Sequence, residues 1–449
     1  MTNWQNTKIP LLQLGSDFYD TVSPARFPEK KLRYKNDRLD LNFSTDHLWS
    51  FHPLDQNLNQ CLALRYHGHQ CQHYNPDIGD GRGFVFAQIL KNNQWYDLGT
   101  KGSGTTPHSR SGDGKLTLKG AVREALATEM LTALGVDTSQ TACIFETGEN
   151  LIRSDEPSPT RSAVLTRFSR GHIRIGTFQR LAYLNEIENI KKLTSYCLNF
   201  YYFDEFKKID PENENLLATT FFQVVCKKNA DLVAQIMMAG FIHGVLNTDN
   251  INISGELFDY GPYRFMPQYD PHFTAAYFDQ QGLYSYGRQP HSFFWNLNQL
   301  GHSLKKAYPA LEFEKILENF SIDFNNSIQK YFQKRLNLKF ENPQDCSDAI
   351  SEFFKLLEEK KLPFEQTFFD FNSFQLSSTE FKKYEKHECK DLFKSFEKAE
   401  IINPNFIKNL NPETLLIHEI ENIWSAIDQN DDWSLFNNKL QSIRKIKIK

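Results

Sequence analysis

Three oxygen-bearing side chains near the middle of the chain constrain its fold more than any other feature. Asp249 and Asn250 are adjacent, and Asp259 lies nine residues past Asn250. A turn at 252–255 and the apolar pair 257–258 separate them. Carboxylate and amide oxygens are hard ligands that suit Mg²⁺ or Mn²⁺ and do not suit zinc. The spacing therefore predicts a fold in which two loops meet at one metal and phosphate site.

This motif has the layout of the catalytic loop and the metal-binding loop of protein kinases. In kinases one carboxylate accepts the proton of the attacking hydroxyl, while an Asn and a second carboxylate hold Mg²⁺ on phosphates. Asp249 is therefore the predicted catalytic residue, and Asn250 and Asp259 are the predicted ligands of Mg²⁺ or Mn²⁺. His243, at the start of the stretch, is expected to brace the backbone and to transfer no proton. A structural role for the whole motif is the alternative.

The composition is that of a globular chain with a large core. Of 449 residues, 40% are hydrophobic and 24% charged, which predicts two lobes or domains. The net charge is only -4, so nucleic acid and anionic membranes are not expected partners. The longest apolar run, 232–246, is shorter than the ~20 residues of a membrane span. The N-terminus shows no targeting pattern, and we expect a cytoplasmic monomer.

The cysteines and the last residues carry no functional signal. Seven cysteines are an odd number without paired metal-type spacing, so we expect reduced thiols that mostly fill the core. The basic residues 444–449 are expected to form a solvated tail.

Glycine and strand signals between residues 71 and 165 predict the small lobe of a kinase-like fold. Strands are expected at 84–90 and 95–101, followed by an amphipathic helix at 117–134. Lys101 ends the second strand, and Glu124 lies on the helix. In kinases a helix-borne glutamate holds such a lysine toward phosphate through an ion pair. A solvated lysine at a strand end is the alternative.

The rest of the chain is expected to form an N-terminal extension and two mostly helical parts. Residues 1–70 are predicted to be irregular and to pack on the core. Residues 166–300 are predicted to form a large lobe with the catalytic and metal-binding loops, and 301–449 a helical C-terminal region. Helices are expected at 185–203, 215–240, 311–338 and 413–426. The predicted fold class is α+β, a protein-kinase-like two-lobe fold.

A glycine-rich loop before the first predicted strand is a candidate phosphate contact. Gly79 and Gly81 would let backbone amides approach phosphate oxygens, and Arg82 would add a planar charged donor. A hairpin turn explains the same glycines, because glycine supplies the positive φ that turns need.

Two further stretches contain candidate nucleotide-binding residues that also have a purely structural explanation. Asp113 and Gly114 belong to a glycine-rich segment that spacing alone explains better as a turn. Arg167 and Arg174 are seven residues apart and together indicate polyphosphate binding. Surface salt bridges are the alternative for the two arginines.

These residues lie in strings that resemble the selenoprotein O (SelO, YdiU) family of pseudokinase-like enzymes. The likeness covers at least residues 10–300 and continues more weakly to about 409. The strings are Gly68-His-Gln70, Asn75-Pro-Asp-Ile-Gly-Asp-Gly-Arg-Gly83, Lys101-Gly-Ser-Gly-Thr-Thr-Pro-His-Ser-Arg-Ser-Gly-Asp-Gly114, Arg123-Glu124, Arg167, His172-Ile-Arg174, His243-Gly-Val-Leu-Asn-Thr-Asp-Asn250, Asp259-Tyr-Gly-Pro262, Gln289-Pro and Trp295-Asn-Leu297.

The resemblance implies a kinase-like fold that binds ATP in an inverted orientation and transfers AMP to Ser, Thr or Tyr hydroxyls of proteins, releasing pyrophosphate. Some members are reported to transfer UMP from UTP, favoured by Mn²⁺. The residues implied at the nucleotide are Gly79, Gly81, Arg82, Lys101, Asp113, Gly114, Glu124, Arg167, Arg174 and Asp259. Glu124 would orient Lys101. Asp249 would accept the proton, with Asn250 and Asp259 holding the metal.

The chain departs from the family at its cysteines. Some members pair a cysteine near the C-terminus with one after the Asp-Tyr-Gly segment, whereas residues 273–281 contain no thiol and the last cysteine is Cys389. A redox latch of that kind is not expected here. Two other functions stay open, namely a phosphotransferase that uses the same metal residues and a nucleotide-binding scaffold without activity.

Overall fold

The computed structural model describes residues 8–41, 48, 51, 53–54, 57–374, 384, 390–404 and 411–446. The strands in these ranges are β1 (Tyr19–Val22), β2 (Lys31–Lys35), β3 (Cys61–Leu64), β4 (Gly68–Gln70), β5 (His73–Asn75), β6 (Val85–Lys91), β7 (Gln94–Lys101), β8 (Leu116–Thr117), β9 (Gln140–Leu151), β10 (Thr160–Ser169), β11 (Phe241–Ile242), β12 (Arg264–Phe265), β13 (Leu338–Phe340) and β14 (Ala399–Ile401).

Eight of these strands form one antiparallel sheet. Their order is β1-β3-β6-β7-β10-β9-β2, and β8 pairs with β10. Three small two-stranded sheets accompany it in the described residues, β4-β5, β11-β12 and β13-β14. Strand β7 runs through the middle of the large sheet and ends at Lys101. The position of this lysine is fixed by the neighbouring strand β10, whose Leu165 pairs with it.

Helices make up most of the chain after residue 170. The described helices are α1 (Leu118–Ala133), α2 (Ile175–Tyr183), α3 (Ile187–Tyr201), α4 (Phe203–Phe206), α5 (Glu214–Met238), α6 (Gln289–Lys305), α7 (Phe313–Leu317), α8 (Phe320–Leu336), α9 (Pro343–Lys360), α10 (Phe364–Phe371), α11 (Lys390–Phe396), α12 (Ile417–Asn430) and α13 (Ser434–Ile443).

Helix α1 carries Glu124 and packs on strands β9 and β10. Thr117 caps its first turn by accepting a hydrogen bond from the backbone N–H of Gly120 at 3.1 Å. Gly135, just past its end, has φ +80°, a conformation that favours glycine at a helix C-terminus. The helix is buried on several sides, so its two glutamates and all of its apolar residues except Ala133 are buried.

Helix α5 leads directly into the catalytic motif. Its C-terminus is followed by Gly240 at φ +61°, which turns the chain into strand β11. Strand β11 pairs with β12 through Phe241 and Phe265. The loop that this pair closes contains Asp249, Asn250 and Asp259. All three motif residues are thus held between two hydrogen-bonded strand ends.

The mixed α+β class and the helical C-terminal region are confirmed. The prediction that residues 1–70 are irregular is wrong for their described part, because β1, β2 and β3 belong to the large sheet. The helix predicted at 311–338 is broken into α7 and α8. The short β13-β14 pair also lies within the region expected to be helical.

The predicted tail is only partly described. Arg444 is exposed but is not a free end as expected, because its guanidinium lies 2.7 Å from the buried carboxylate of Glu129. Residues 447–449 lie outside the described ranges.

The described cysteines are free thiols, as expected, and all of them except Cys71 are buried. Cys389 lies outside the described residues. No helix in the described ranges combines the length and the apolar character that a membrane span requires.

Candidate functional site

A cavity of about 580 Å³ brings together sheet residues and the loop that carries the motif. Of the twelve predicted site residues, all but Glu124 and Asn250 line it. The ten are Gly79, Gly81, Arg82, Lys101, Asp113, Gly114, Arg167, Arg174, Asp249 and Asp259. These residues come from four separate stretches of the chain, and the fold places them around one space.

Two cations from neighbouring strands meet two carboxylates at the base of the cavity. Lys101 Nζ lies 2.7 Å from Glu124 Oε2 and 3.1 Å from Asp259 Oδ1. Arg167 Nη2 lies 2.9 Å from Glu124 Oε1 and 3.2 Å from the same Asp259 oxygen. Both cations are buried. The alternatives of a solvated lysine and a surface salt bridge are therefore wrong for this pair.

Arg174 reaches the same carboxylate from the start of helix α2. Its Nη1 donates to Asp259 Oδ2 at 3.3 Å and to the backbone carbonyl of Asp249 at 3.0 Å. Its Nη2 donates to Asp80 Oδ1 at 3.1 Å. The guanidinium also lies over the ring of Tyr66, 4.3 Å from the ring centroid. These contacts hold Arg174 in a single orientation beneath the motif.

The ionised state of both central carboxylates is fixed by these cations. Burial alone would raise the pKa of Asp259, but Lys101, Arg167 and Arg174 outweigh it and hold that pKa well below its ordinary value. Burial likewise opposes ionisation of Glu124, and Lys101 and Arg167 lower its pKa. Asp259 has φ +66°, an uncommon conformation for a non-glycine residue. The site thus places a permanently charged carboxylate among three cations.

Asp249 lies in a different electrostatic environment. Burial raises the pKa of this carboxyl group to about 6, although Arg174 opposes the shift. Its Oδ1 is buried and has no hydrogen-bond partner among the described residues. An unpartnered buried acceptor at the wall of a cavity is unfavourable unless a ligand supplies a proton. Asp249 Oδ1 is therefore an open hydrogen-bond acceptor at the cavity wall.

Asn250 is oriented by its own loop. Its side-chain Nδ2 donates to the backbone carbonyl of Val245 at 2.9 Å. This contact uses the donor side of the amide, and Oδ1 accepts no hydrogen bond from a described residue. His243, fully buried, contacts the carbonyl of Phe258 through Nε2 at 3.1 Å. This contact agrees with its predicted bracing role, next to Asp259.

The glycine-rich segments pack against each other at the cavity wall. A Cβ at Gly79 would lie 2.5 Å from the ring of His108, and one at Gly81 would lie 2.9 Å from the carbonyl of that residue. Gly114 has φ +69°, and its Cβ would lie 2.2 Å from the backbone of Gly104. Both segments therefore require glycine for close packing, which the turn interpretation also allows.

The two remaining candidates lie toward solvent. Arg82 is exposed beside the cavity. Asp113 is held by Arg153, with a contact of 2.9 Å from Nη1 to Oδ2. Burial opposes the ionisation of Asp113, and the hydrogen bonds from Arg153 lower its pKa. Asp113 is thus an oriented carboxylate at the opening, in reach of a polar ligand group.

Sequence reasoning missed several residues that line this cavity, among them Asp80, Tyr66 and His172. Asp80 binds Arg174 and stood between Gly79 and Gly81 in one of the family strings without an assigned role. Tyr66 stacks on Arg174 and had no local signal. His172 lines the cavity and stood in one of the family strings without an assigned role.

The N-terminal hairpin β4-β5 also contributes to the site. The backbone N–H of His69 donates to Thr248 Oγ1 at 2.7 Å, and that of Cys71 donates to Asn247 Oδ1 at 3.0 Å. These contacts fix the two residues that precede Asp249. The hairpin therefore supports the loop that carries Asp249.

Comparison with known proteins identifies the family. The family described as Protein adenylyltransferase SelO matches residues 4–444 of this chain. The chain belongs to the SelO family. This confirms the resemblance seen in the motif strings and extends it over nearly the whole chain.

Curated relatives in the SelO family agree with this assignment. The chain is 39% identical over 468 residues to the Protein nucleotidyltransferase YdiU of Trichodesmium erythraeum, covering 97% of each chain. It is 40% identical to the protein of that name from Gloeobacter violaceus, covering 97% of this chain and 96% of the relative. With the Bacillus cereus protein of that name it shares 35% identity, over 85% of this chain and 79% of the relative.

Proposed function

We propose that this protein transfers AMP from ATP to Ser, Thr or Tyr hydroxyls of proteins and releases pyrophosphate. The names of the SelO family and of its curated relatives support a nucleotidyl transfer. UTP, which would give UMP transfer, is the second donor that we propose.

One observation carries the proposal, namely the convergence of Lys101, Arg167 and Arg174 on Asp259 at the base of the cavity. A purine ring is uncharged and favours apolar walls, whereas a polyphosphate needs cations. The inner end of the cavity, where these buried cations lie, therefore suits the terminal phosphates. The nucleoside would then lie toward the cavity opening, where Arg82 and Asp113 are found.

The reaction follows from this orientation. The acceptor oxygen attacks the α-phosphorus, the bond from that phosphorus to the bridging oxygen breaks, and pyrophosphate leaves with the bonding electrons. Negative charge grows on the leaving group, and Lys101, Arg167 and Arg174 stabilise it. Asp249 accepts the proton of the acceptor hydroxyl at its unpartnered Oδ1. Glu124 keeps Lys101 extended toward the phosphates.

The residues at the motif fit a divalent metal. The free Oδ1 of Asn250 and the carboxylate of Asp259 are hard oxygen donors suited to Mg²⁺ or Mn²⁺. Within the described residues no cluster of three or more His, Cys, Asp or Glu could hold a metal by itself. We therefore propose a metal that Asn250 and Asp259 hold together with phosphate oxygens. When bound, it would neutralise phosphate charge.

We also propose a kinase-like arrangement of two lobes. The small lobe would span residues 71–165 together with strands β1, β2 and β3 of the segment 1–70, which share its sheet. The large lobe would span 166–300, and the helical region 301–449 would follow. The order of strand β7, Lys101, helix α1 and Glu124, with the buried ion pair that joins them, supports this arrangement.

That ion pair would equally suit a phosphotransferase, so the acceptor product must be identified. Intact mass spectrometry of a protein acceptor incubated with ATP and Mg²⁺ or Mn²⁺ distinguishes an added adenylate from an added phosphate. We expect adenylate, formed far more slowly by an Asp249→Asn variant. An added phosphate would make the protein a kinase.

A further inference from the structure

We propose that His172 is a further ligand of the nucleotide, binding its terminal phosphates and the departing pyrophosphate through Nε2. This inference rests on the proposed function, because it assigns the inner end of the cavity to those phosphates. His172 is buried and lines the same cavity as Lys101, Arg167 and Arg174.

The position of the ring follows from a glycine in strand β7. A Cβ at Gly99 would lie only 2.4 Å from His172 Nε2, so the imidazole occupies the space that a side chain at residue 99 would fill. Gly99 and Lys101 are two residues apart on one strand and so face the same side of the sheet. Gly99 is also directly opposite Arg167 on strand β10. Nε2 therefore lies on the face that presents Lys101 and Arg167.

The other ring nitrogen is committed to a buried carboxylate. His172 Nδ1 lies 3.0 Å from Asp97 Oδ2, and the second oxygen of Asp97 accepts from Gln88 Nε2 at 2.7 Å. Because a carboxylate accepts, Nδ1 is the donor in this contact. The Gln88 contact fixes the carboxylate, which in turn fixes the ring. Nε2, in contrast, has no hydrogen-bond partner in the part of the chain that the structure describes.

The charge balance of the site leaves a role for another cation. Lys101, Arg167 and Arg174 are already matched by Glu124, Asp259 and Asp80. A polyphosphate brings additional negative charge into this neutral network. The ring is placed so that Nδ1 can donate to the Asp97 carboxylate while Nε2 donates to a phosphate oxygen. His172 would thus add one charge-assisted hydrogen bond, present only when phosphate is bound.

The chain offers a matched pair of substitutions. In His172→Asn the amide can still donate to Asp97 from the position of Nδ1, but nothing replaces Nε2. In His172→Gln the longer amide can place a donor near the position of Nε2. Calorimetric titration with inorganic pyrophosphate, with an ATP analogue carrying an α,β-methylene bridge, and with AMP separates the terminal phosphates from the nucleoside. Thermal unfolding of each variant reports on folding.

We expect His172→Asn to weaken pyrophosphate and the ATP analogue by about tenfold or more while AMP binding stays unchanged. His172→Gln should restore part of the loss. Unchanged pyrophosphate affinity in His172→Asn would overturn the role of His172 and leave the proposed transferase intact. Equal losses for all three ligands with a lower unfolding temperature would also overturn it, since the ring would then be structural.

A loss confined to AMP would have a different meaning. It would place the purine beside His172, and both this inference and the proposed orientation of the nucleotide would be wrong.

Discussion

Lys101 and Glu124 form a buried ion pair with 2.7 Å between Nζ and Oε2, which joins the end of strand β7 to helix α1. Glu124 also receives Arg167 at 2.9 Å. One helix-borne carboxylate thus orients two of the three cations that we assign to the phosphates. The precision of the site depends on where helix α1 lies.

The Glu124→Gln variant should separate two roles of Glu124, namely the positioning of Lys101 and the supply of a counter-charge. Without the carboxylate, Lys101 and Arg167 share only Asp259 as a counter-charge, and we expect the free protein to lose on the order of 1–3 kcal/mol of unfolding free energy. Pyrophosphate should reduce this deficit, because its charge replaces the missing one. Turnover should still fall, because Lys101 is no longer held extended. Thermal unfolding with and without pyrophosphate measures the effect, and a deficit that pyrophosphate leaves unchanged would contradict it.

Asp249→Asn should lower turnover by about 10²–10⁴-fold, the usual contribution of general base catalysis. Nucleotide affinity should change little, because the inner cations and Asp259 are untouched. Initial rates and calorimetric titration measure the two quantities. Asp204→Asn is a suitable control, because that carboxylate is 86% exposed and pairs only with Lys207 among its described contacts. A large loss of affinity in Asp249→Asn would argue against a role as proton acceptor.

Glu256→Gln should change stability in a pH-dependent way. Burial raises the pKa of Glu256 from 4.5 to about 7, although Arg170 opposes the shift. Below pH 4.5 the carboxyl group is protonated in both the folded and the unfolded protein. Above pH 7 it is ionised in both, and the folded state bears the cost of the buried charge. Gln removes that cost and can still accept from the backbone N–H of Arg170.

The variant should therefore gain stability relative to the parent as the pH rises through this range, by at most about 3 kcal/mol. Denaturant unfolding at pH 5 and pH 8.5 measures the difference. An equal difference at both pH values would contradict the account.

Arg444→Met should destabilise the protein through helix α1. Glu129 is 3% exposed, accepts from Arg444 Nη2 at 2.7 Å and also from Tyr34 and Arg38. Loss of the guanidinium leaves a buried carboxylate incompletely satisfied, which costs on the order of 1–3 kcal/mol of unfolding free energy. Lys445→Met is the matched control, because this neighbouring residue is exposed and its side chain makes no ion pair with a described residue. Equal unfolding free energies for the two variants would show that the contact adds nothing.

Helices with local signals could be predicted from the sequence. The apolar periodicity placed α1 within one residue at each end, and α5 was predicted with similar accuracy. The first three strands were missed because their partners are distant in the chain. Strand β2, for example, pairs Lys31 with Glu146. Such pairing depends on tertiary contacts that a local pattern does not contain.

The site residues also divide into those with a local sequence signal and those whose role depends on distant contacts. Asp249, Asn250 and Asp259 were predicted because their spacing is local, and Lys101 and Glu124 because strand and helix follow one another. The sequence did not predict a role for Asp80, Tyr66 or His172, because each acquires its role from a residue distant in the chain. His172, for example, depends on Asp97 and on the missing side chain of Gly99.

The transferase proposal is tested most directly by following label from ATP. The protein is incubated with a protein acceptor, Mg²⁺ or Mn²⁺, and ATP labelled at either the α or the γ phosphate, with Asp259→Ala as control. We predict label on the acceptor from α-labelled ATP alone, lost in the variant by on the order of a thousandfold. Label from γ-labelled ATP alone would contradict the account and show a kinase.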